Sequence, residues 1–313
     1  IIKLMAVAIS PGKIILFGEH GVVYGKPCLS VAISLKVAVS IEESNSTRIN
    51  NEPLDERKHA YISKAIEKLW KGGNVSISTF SQIPSASGLG SSSALTTACV
   101  ASLLSMSKNF SISEVARKSF EIEYEVQKIA SPNDTSICAR GGAIFVSYKK
   151  EENFLWEIEK GERKWYIHSV SAPQMNFVIA TTGIKSKTPL LIRKVEKFVK
   201  QSSFAKELME ELEGIVTEGK KALEKNDRVK LGELMDKNQK ILHTMGASSK
   251  EIEKLIYAAK LAGAYGAKLT GAGGGGSIIA ICDEPEKIVR DIKKRGGNAF
   301  VVSVEMEGVK VWN

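Results

Sequence analysis

"IPSASGLGSSSALTTACVASLL", Ile83 to Leu104, is a loop of small residues that opens directly into a run of helical character. Small residues leave backbone N–H groups bare, and the first turn of a helix adds unpaired donors and the positive end of its dipole at the same spot. An anion binds such a place without a dedicated lysine. The loop has no Walker lysine, and no G-x-x-x-x-G-K-[ST] occurs anywhere in the chain. Three successive serines, Ser91, Ser92 and Ser93, follow Gly88-Leu89-Gly90, which is more hydroxyls than one helix cap needs. They are available to cap the helix or to ligate Mg²⁺.

Working outward, the residues before this loop read as strands. Val31, Ile33, Leu35, Val37, Val39 and Ile41 alternate with small or polar residues, the period of a strand buried on one face. Val75, Ile77 and Thr79 repeat the pattern, and Ile14 to Phe17 is a short apolar strand that ends at Gly18. After the loop, helices are expected from Ser91 and from the Ser111-x-x-Glu114 capping box, and Gly141 to Ser147 returns to strand. The later chain is mostly helical, with Thr188-Pro189 read as N-cap and N1, Asp227 as an N-cap, and Ser248 with Glu251 as another capping box. "GAKLTGAGGGGSIIAIC" then reads as strand, glycine turn, strand, followed by a helix at 285–295 and a strand at 298–304. Elements alternate without the regular spacing of a doubly wound sheet, so the expected class is α+β in two lobes.

The 313 residues suffice for a sizeable core, and 43% hydrophobic with 25% charged content is ordinary for a globular chain. No apolar run reaches the roughly 18–20 residues of a membrane span. Ile1 to Ile9 is too short for a signal peptide and leads into an expected strand, so a cytoplasmic location is expected. The cysteines (Cys28, Cys99, Cys138, Cys282) are scattered, and the four histidines show no zinc spacing. The net charge of +9 admits nucleic acid as a partner. Its lysines are interleaved with glutamates in helical stretches, however, and no RGG, RNP-type or basic-tail segment is present, so anionic small molecules fit better.

Three further segments bear on chemistry. "GAGGGG", Gly271 to Gly276, formally satisfies the dinucleotide fingerprint but precedes an expected strand instead of opening a helix, which argues against a nicotinamide enzyme. Five glycines in six residues exceed what a turn needs and point to close backbone approach to a ligand. "SPGKIILFGEHGVVYGKP", Ser10 to Pro27, sets Lys13 at one end of a strand and Glu19-His20 at the other. "SPNDTSICARGG", Ser131 to Gly142, sets Asp134 after a helix carrying Glu121, Glu123 and Glu125, where it could simply cap a turn.

These segments together resemble the GHMP small-molecule kinase superfamily, whose three glycine-bearing motifs stand here in order as "PGKIILFGEH", "PSASGLGSSSA" and "KLTGAGGGG". Within it, "GKIILFGEHGVVYGKP" and "LMDKNQKILHTMGASSKEIEKL" are most similar to the mevalonate kinase family in its compact, archaeal-like form. The resemblance implies a two-lobed fold, 1–170 and 171–313, with the site between the lobes. It implies ATP and Mg²⁺ as cofactors and phosphorylation of the 5-hydroxyl of mevalonate, with phosphomevalonate kinase as the alternative. It implies no nucleic acid or membrane partner and leaves a homodimer open. Asp134 matches the base that accepts the substrate's hydroxyl proton, and Lys13 its cationic neighbour. Ser92 and Glu123 match the metal ligands. Pro84, Ser87, Gly88, Leu89, Gly90, Ser91, Ser92 and Ser93 match the nucleotide loop. Glu19, His20, Thr188, Gly271, Gly273 and Gly274 match substrate-pocket positions, with Lys185 or Lys187 facing the substrate carboxylate. One departure is that many mevalonate kinases read Ser-Gly-x-Asp at the catalytic loop, where this chain has Ser131-Pro132-Asn133-Asp134, a stiffer connection because proline fixes φ.

Overall fold

The structure, a computed structural model, describes residues 4–186 and 188–313, without the side chains at 188–190 and 192. Lys187 lies outside the described residues. The first sheet is built from β1 (Met5–Phe17), β2 (Cys28–Glu43), β3 (Arg48–Ile49), β4 (Glu52–Pro53), β5 (Val75–Ser81), β6 (Ala143–Ser147), β7 (Phe154–Lys160) and β8 (Arg163–Val170). Its helices are α1 (Ala60–Leu69), α2 (Ser91–Met106), α3 (Ile112–Gln127) and α4 (Asn133–Arg140). The second unit contains β9 (Asn176–Thr181), α5 (Thr188–Gln201), α6 (Ser203–Glu224), α7 (Arg228–Thr244), α8 (Lys250–Leu261), β10 (Gly266–Thr270), β11 (Ser277–Ile281), α9 (Pro285–Lys294) and β12 (Asn298–Ser303). The last strand, β13 (Lys310–Trp312), returns to the first sheet and pairs with β1.

The long strand β2 organises the first sheet. It pairs antiparallel with β1 along most of its length, while its other edge is shared by β5 near one end and β6 near the other. β3 joins β5 in parallel, so that sheet is mixed, whereas the second sheet, in order β10-β11-β9-β12, is antiparallel throughout. The alternation in Val31 to Ile41 is visible only beyond Ile33, because the first part of β2 is buried on both faces. Helix α2 packs on β1 and β2 and is buried on nearly all sides from Ser93 to Met106, as its apolar composition all round requires.

The outer edge of β10 is capped by a helix. Asp236 Oδ1 on α7 accepts from the Ala267 N–H at 3.0 Å, and Gln239 Oε1 accepts from the Leu269 N–H at 2.9 Å. An open strand edge is thereby closed by side chains three residues apart on one helix face.

Most local signals sit where the sequence puts them. Ser111 accepts from the Glu114 N–H and Asp227 from the Lys230 N–H. Two expectations are corrected. The cap of α8 is Ser249, which accepts from the Ile252 N–H, because the Ser248 hydroxyl is drawn to the Glu253 carboxylate. Asp134 does not cap α4: Pro132 stands at that position, and Asp134 lies within the first turn.

Candidate active site

The three glycine-bearing segments meet along the free edge of β1. The Lys13 N–H donates to the Leu89 carbonyl at 2.9 Å, and the Ile15 N–H donates to Thr270 Oγ1 at 3.1 Å. Both donors point away from β2, so a strand edge of the first motif is satisfied half by the second motif and half by the third. Side chains would prevent this convergence. A Cβ on Gly88, whose φ is +81°, would lie 2.4 Å from the Thr270 carbonyl oxygen, and one on Gly90 would lie 2.7 Å from Lys13 Cγ.

The junction encloses a cavity of about 570 Å³. At one end stand Ser85 to Gly88, Gly90 to Ser93 at the start of α2, Leu95, Tyr61, Glu123 and Gln127; at the other stand Ile15, Glu19, His20, Val22, Val23 and Ala272. Lys13 and Asp134 line it as well.

Lys13 Nζ lies 3.0 Å from Asp134 Oδ2 and donates to the Gly88 carbonyl at 3.1 Å. The other carboxylate oxygen, Oδ1, accepts from Asn133 Nδ2 at 2.9 Å, and Asn133 Oδ1 in turn accepts from the Ser30 hydroxyl at 2.9 Å. The carboxylate is thus fixed on both oxygens and still 31% exposed, while the lysine side chain is 3% exposed. Burial alone would lower the Lys13 pKa, but the Asp134 carboxylate outweighs it and the net shift is upward, so the ammonium stays charged.

Glu123 is buried beside this pair. Burial, reinforced by the nearby Asp134 charge, pushes its carboxyl up to about 8. It accepts a hydrogen bond from the hydroxyl of Ser93 at 2.5 Å, and Ser92 lines the same cavity. No ion pair reaches Glu123 among the described residues. A buried carboxylate without a protein cation, beside serine hydroxyls, is an oxygen donor set that suits Mg²⁺.

At the other end Glu19 is paired with Lys268 of β10, both sealed from solvent. Burial lifts the Glu19 carboxyl and depresses the Lys268 ammonium, and each charge partly offsets the shift of the other. His20 takes a left-handed φ of 61° and donates from Nε2 to the Ala272 carbonyl at 2.9 Å. Burial holds the ring neutral, which leaves Nδ1 as a buried acceptor with no protein partner.

Not every candidate from the sequence reaches the cavity. Leu89 is core and contributes only its carbonyl. The Pro84 carbonyl accepts from the Ser87 hydroxyl. The carbonyl of Gly273 takes the Ser186 hydroxyl and the Gly274 N–H goes to the Ala247 carbonyl, so both shape the wall from behind, while Gly271 lines it. Lys185 is exposed and outside the cavity wall, and Thr188 begins α5 with its side chain outside the described residues. Sequence reading passed over Lys268, Asn133, Tyr61 and Gln127. Lys268 had a signal, a lysine in the strand "GAKLT" that is otherwise apolar or small; the other three had none.

The family model for the GHMP kinases N-terminal domain matches residues 60–142, and that for the GHMP kinases C terminal matches residues 220–298. A curated mevalonate kinase of Methanothermobacter thermautotrophicus is 34% identical over 88% of this chain and 89% of its own. The chain belongs to the mevalonate kinase family of the GHMP kinases. Another relative, the mevalonate kinase of Pyrococcus abyssi, is 30% identical over 98% of both chains. The crystal structure of L. major mevalonate kinase in complex with R-mevalonate superposes with a TM-score of 0.81 at 24% identity, covering 96% of each chain, which establishes the shared fold. As a kinase of this family the chain is an ATP-using phosphotransferase. Among the described residues no helix is long and apolar enough to cross a membrane.

Proposed function

We infer that this protein transfers the γ-phosphoryl group of ATP to the 5-hydroxyl of mevalonate. The observation that carries the reading is the Lys13–Asp134 pair, which borders the same cavity as the N-terminus of α2. Phosphoryl transfer asks mainly for positioning and charge neutralisation. The backbone N–H groups of Gly88 to Ser93 and the α2 dipole receive the triphosphate. Glu123 and Ser92 would hold Mg²⁺, which neutralises phosphate charge when bound. Asp134, exposed enough to meet a hydroxyl, accepts its proton, and Lys13 offsets charge that develops on the phosphoryl oxygens.

The far end of the cavity suits a branched hydroxy acid. Ile15, Val22 and Val23 offer an apolar side for a methyl branch, His20 Nδ1 offers an acceptor for a hydroxyl, and Lys185, which precedes Ser186 of the cavity wall, is the partner we assign to the carboxylate. Among the described residues that line the cavity Lys13 is the one lysine or arginine, so a second phosphate on the substrate would lack a cation of its own. That favours mevalonate over phosphomevalonate. A cytoplasmic location fits an ATP-using enzyme with a small diffusible substrate, and the reaction requires no partner macromolecule. ADP release with mevalonate, phosphomevalonate, homoserine and galactose in parallel tests the reading: mevalonate alone is expected to turn over rapidly, and turnover of another substrate with none of mevalonate overturns it.

A further inference from the structure

Asn133 and Asp134 are the first two residues of α4, with Pro132 at its N-cap. Successive side chains on a helix diverge and do not face each other. The Asn133 amide nevertheless turns onto its neighbour, Nδ2 donating to Asp134 Oδ1 at 2.9 Å. A group outside the helix holds it there. Asn133 Oδ1 accepts from the Ser30 hydroxyl at 2.9 Å, and Ser30 lies on β2, 103 positions away in sequence. Ser30 and Asn133 are both fully buried, so bulk water does not compete for either group. Neither lines the cavity, whereas Asp134 does. A buried relay thus runs from the first sheet through an amide to the carboxylate that faces the cavity.

We propose that Asn133 and Ser30 are positioning residues for phosphoryl transfer: Ser30 fixes the Asn133 amide, and the amide fixes the plane of the Asp134 carboxylate. This rests on the reading that Asp134 takes the proton of the substrate hydroxyl. The direction of the relay follows from the donors. A carboxylate paired with a lysine only accepts, so the amide must turn its NH₂ toward Asp134 and its oxygen toward Ser30, which donates. Lys13 reaches the other carboxylate oxygen, Oδ2. That contact alone leaves the carboxylate free to swing about its last torsion, which is intrinsically broad. The Asn133 contact adds a second point, and each oxygen keeps a lone pair with which to meet a hydroxyl. The anchor is stiff, because Ser30 is paired with Ile15 of β1 on one side and Ile144 of β6 on the other. Without the Ser30 hydroxyl the amide can turn over, and the base loses one of its two supports.

The test is steady-state kinetics of the full chain with mevalonate and ATP, alongside calorimetric binding of a non-hydrolysable ATP analogue with Mg²⁺. Asn133→Leu keeps the volume and removes the amide; Ser30→Ala removes only the hydroxyl. The expected result is a kcat lowered about thirtyfold in Asn133→Leu and about fivefold in Ser30→Ala, with the KM for mevalonate and the Kd for the analogue within about twofold of wild type. Ser30→Ala is expected to change kcat by less than about twofold in the Asn133→Leu background, because Ser30 acts through the amide. A kcat for Asn133→Leu within twofold of wild type overturns the proposal. So does an equal loss of kcat and of both affinities, which marks general loosening. A full further loss from Ser30→Ala in the double variant removes Ser30 from the relay. If Asn133→Leu no longer unfolds cooperatively, a kcat for Ser30→Ala within twofold of wild type overturns the proposal instead. Wild type failing to turn over mevalonate overturns the functional reading and this proposal together, whereas wild-type turnover with indifferent variants overturns the proposal alone.

Discussion

Two lysine–carboxylate pairs stand beside one cavity, built from the same chemistry but shut away from water to different degrees. In Lys13–Asp134 the lysine is buried but the carboxylate is 31% exposed, so the pair has a face on which a substrate can act. In Lys268–Glu19 the two side chains are 0% and 1% exposed. The first pair joins β1 to the start of α4 within the first sheet and its helices, whereas the second joins the turn after β1 to β10 of the second sheet. A sealed pair gains little net stability over an apolar one, because desolvation offsets the attraction, but once built it enforces register. The neighbouring His20–Ala272 hydrogen bond lies on the same two segments, so this end of the site is clasped at two points. The contrast is that exposure, not the identity of the charges, separates the pair proposed to act on substrate from the one that ties the turn after β1 to the second sheet.

The comparison can be broken at each pair. The largest effect is expected from Asp134→Asn, which keeps the shape and the Asn133 contact but cannot take a proton. The kcat for mevalonate should fall about a thousandfold, while nucleotide binding stays within threefold. Near-normal turnover would remove Asp134 from the role of base. Next, Lys268→Met should leave Glu19 as an uncompensated buried acid and lower the unfolding free energy by about 3 kcal/mol or more, measured by urea denaturation. Adding Glu19→Gln should recover much of that loss; a double variant no more stable than the single one would show that the pair is not acting as a unit.

A smaller effect isolates Glu123, the carboxylate that has a hydroxyl where the others have a lysine. Its folded pKa of about 8 lies above the 4.5 of an unperturbed glutamate. The folded state therefore holds a proton that the unfolded state has released, and this group makes the free protein less stable as pH rises from about 4.5 to 8. Glu123→Gln should flatten that slope, so that in thermal melts the variant gains on wild type as pH increases, although it loses activity. Parallel melting curves for the two proteins across that range would refute the assignment.

Much of this architecture was legible from local pattern. The helix at Ser91, the cap at Ser111, the two strands around Gly271 to Gly276 and the convergence of three small-residue segments all follow from periodicity, capping chemistry and family resemblance. The strand after "GAGGGG" disposes of the dinucleotide reading, since β11 follows it where a helix would be needed. Errors arose where two hydroxyls compete. Ser248 and Ser249 are chemically equivalent as caps, and only the position of Glu253 decides between them. In the same way Ser92 and Ser93 are indistinguishable in "GLGSSSA", yet α3 presents Glu123 to the hydroxyl of Ser93.

The sequence by itself determined much of the local backbone and the inventory: the capped helices and the alternating strands, where bare N–H groups occur, and which acids and lysines are available. Such properties depend on neighbours within a few residues, and a period of two or 3.6 records them. Only the tertiary structure decided the partnerships. Glu19 meets Lys268 across 249 positions, Lys13 meets Asp134 across sheet and helix, and Glu123 reaches Ser93 from another helix. These pairings depend on how faces pack and which groups are shut away from water. The same burial that sets the partnerships also moves the Glu123 carboxyl to about 8, a property that no reading of glutamate as a residue type contains.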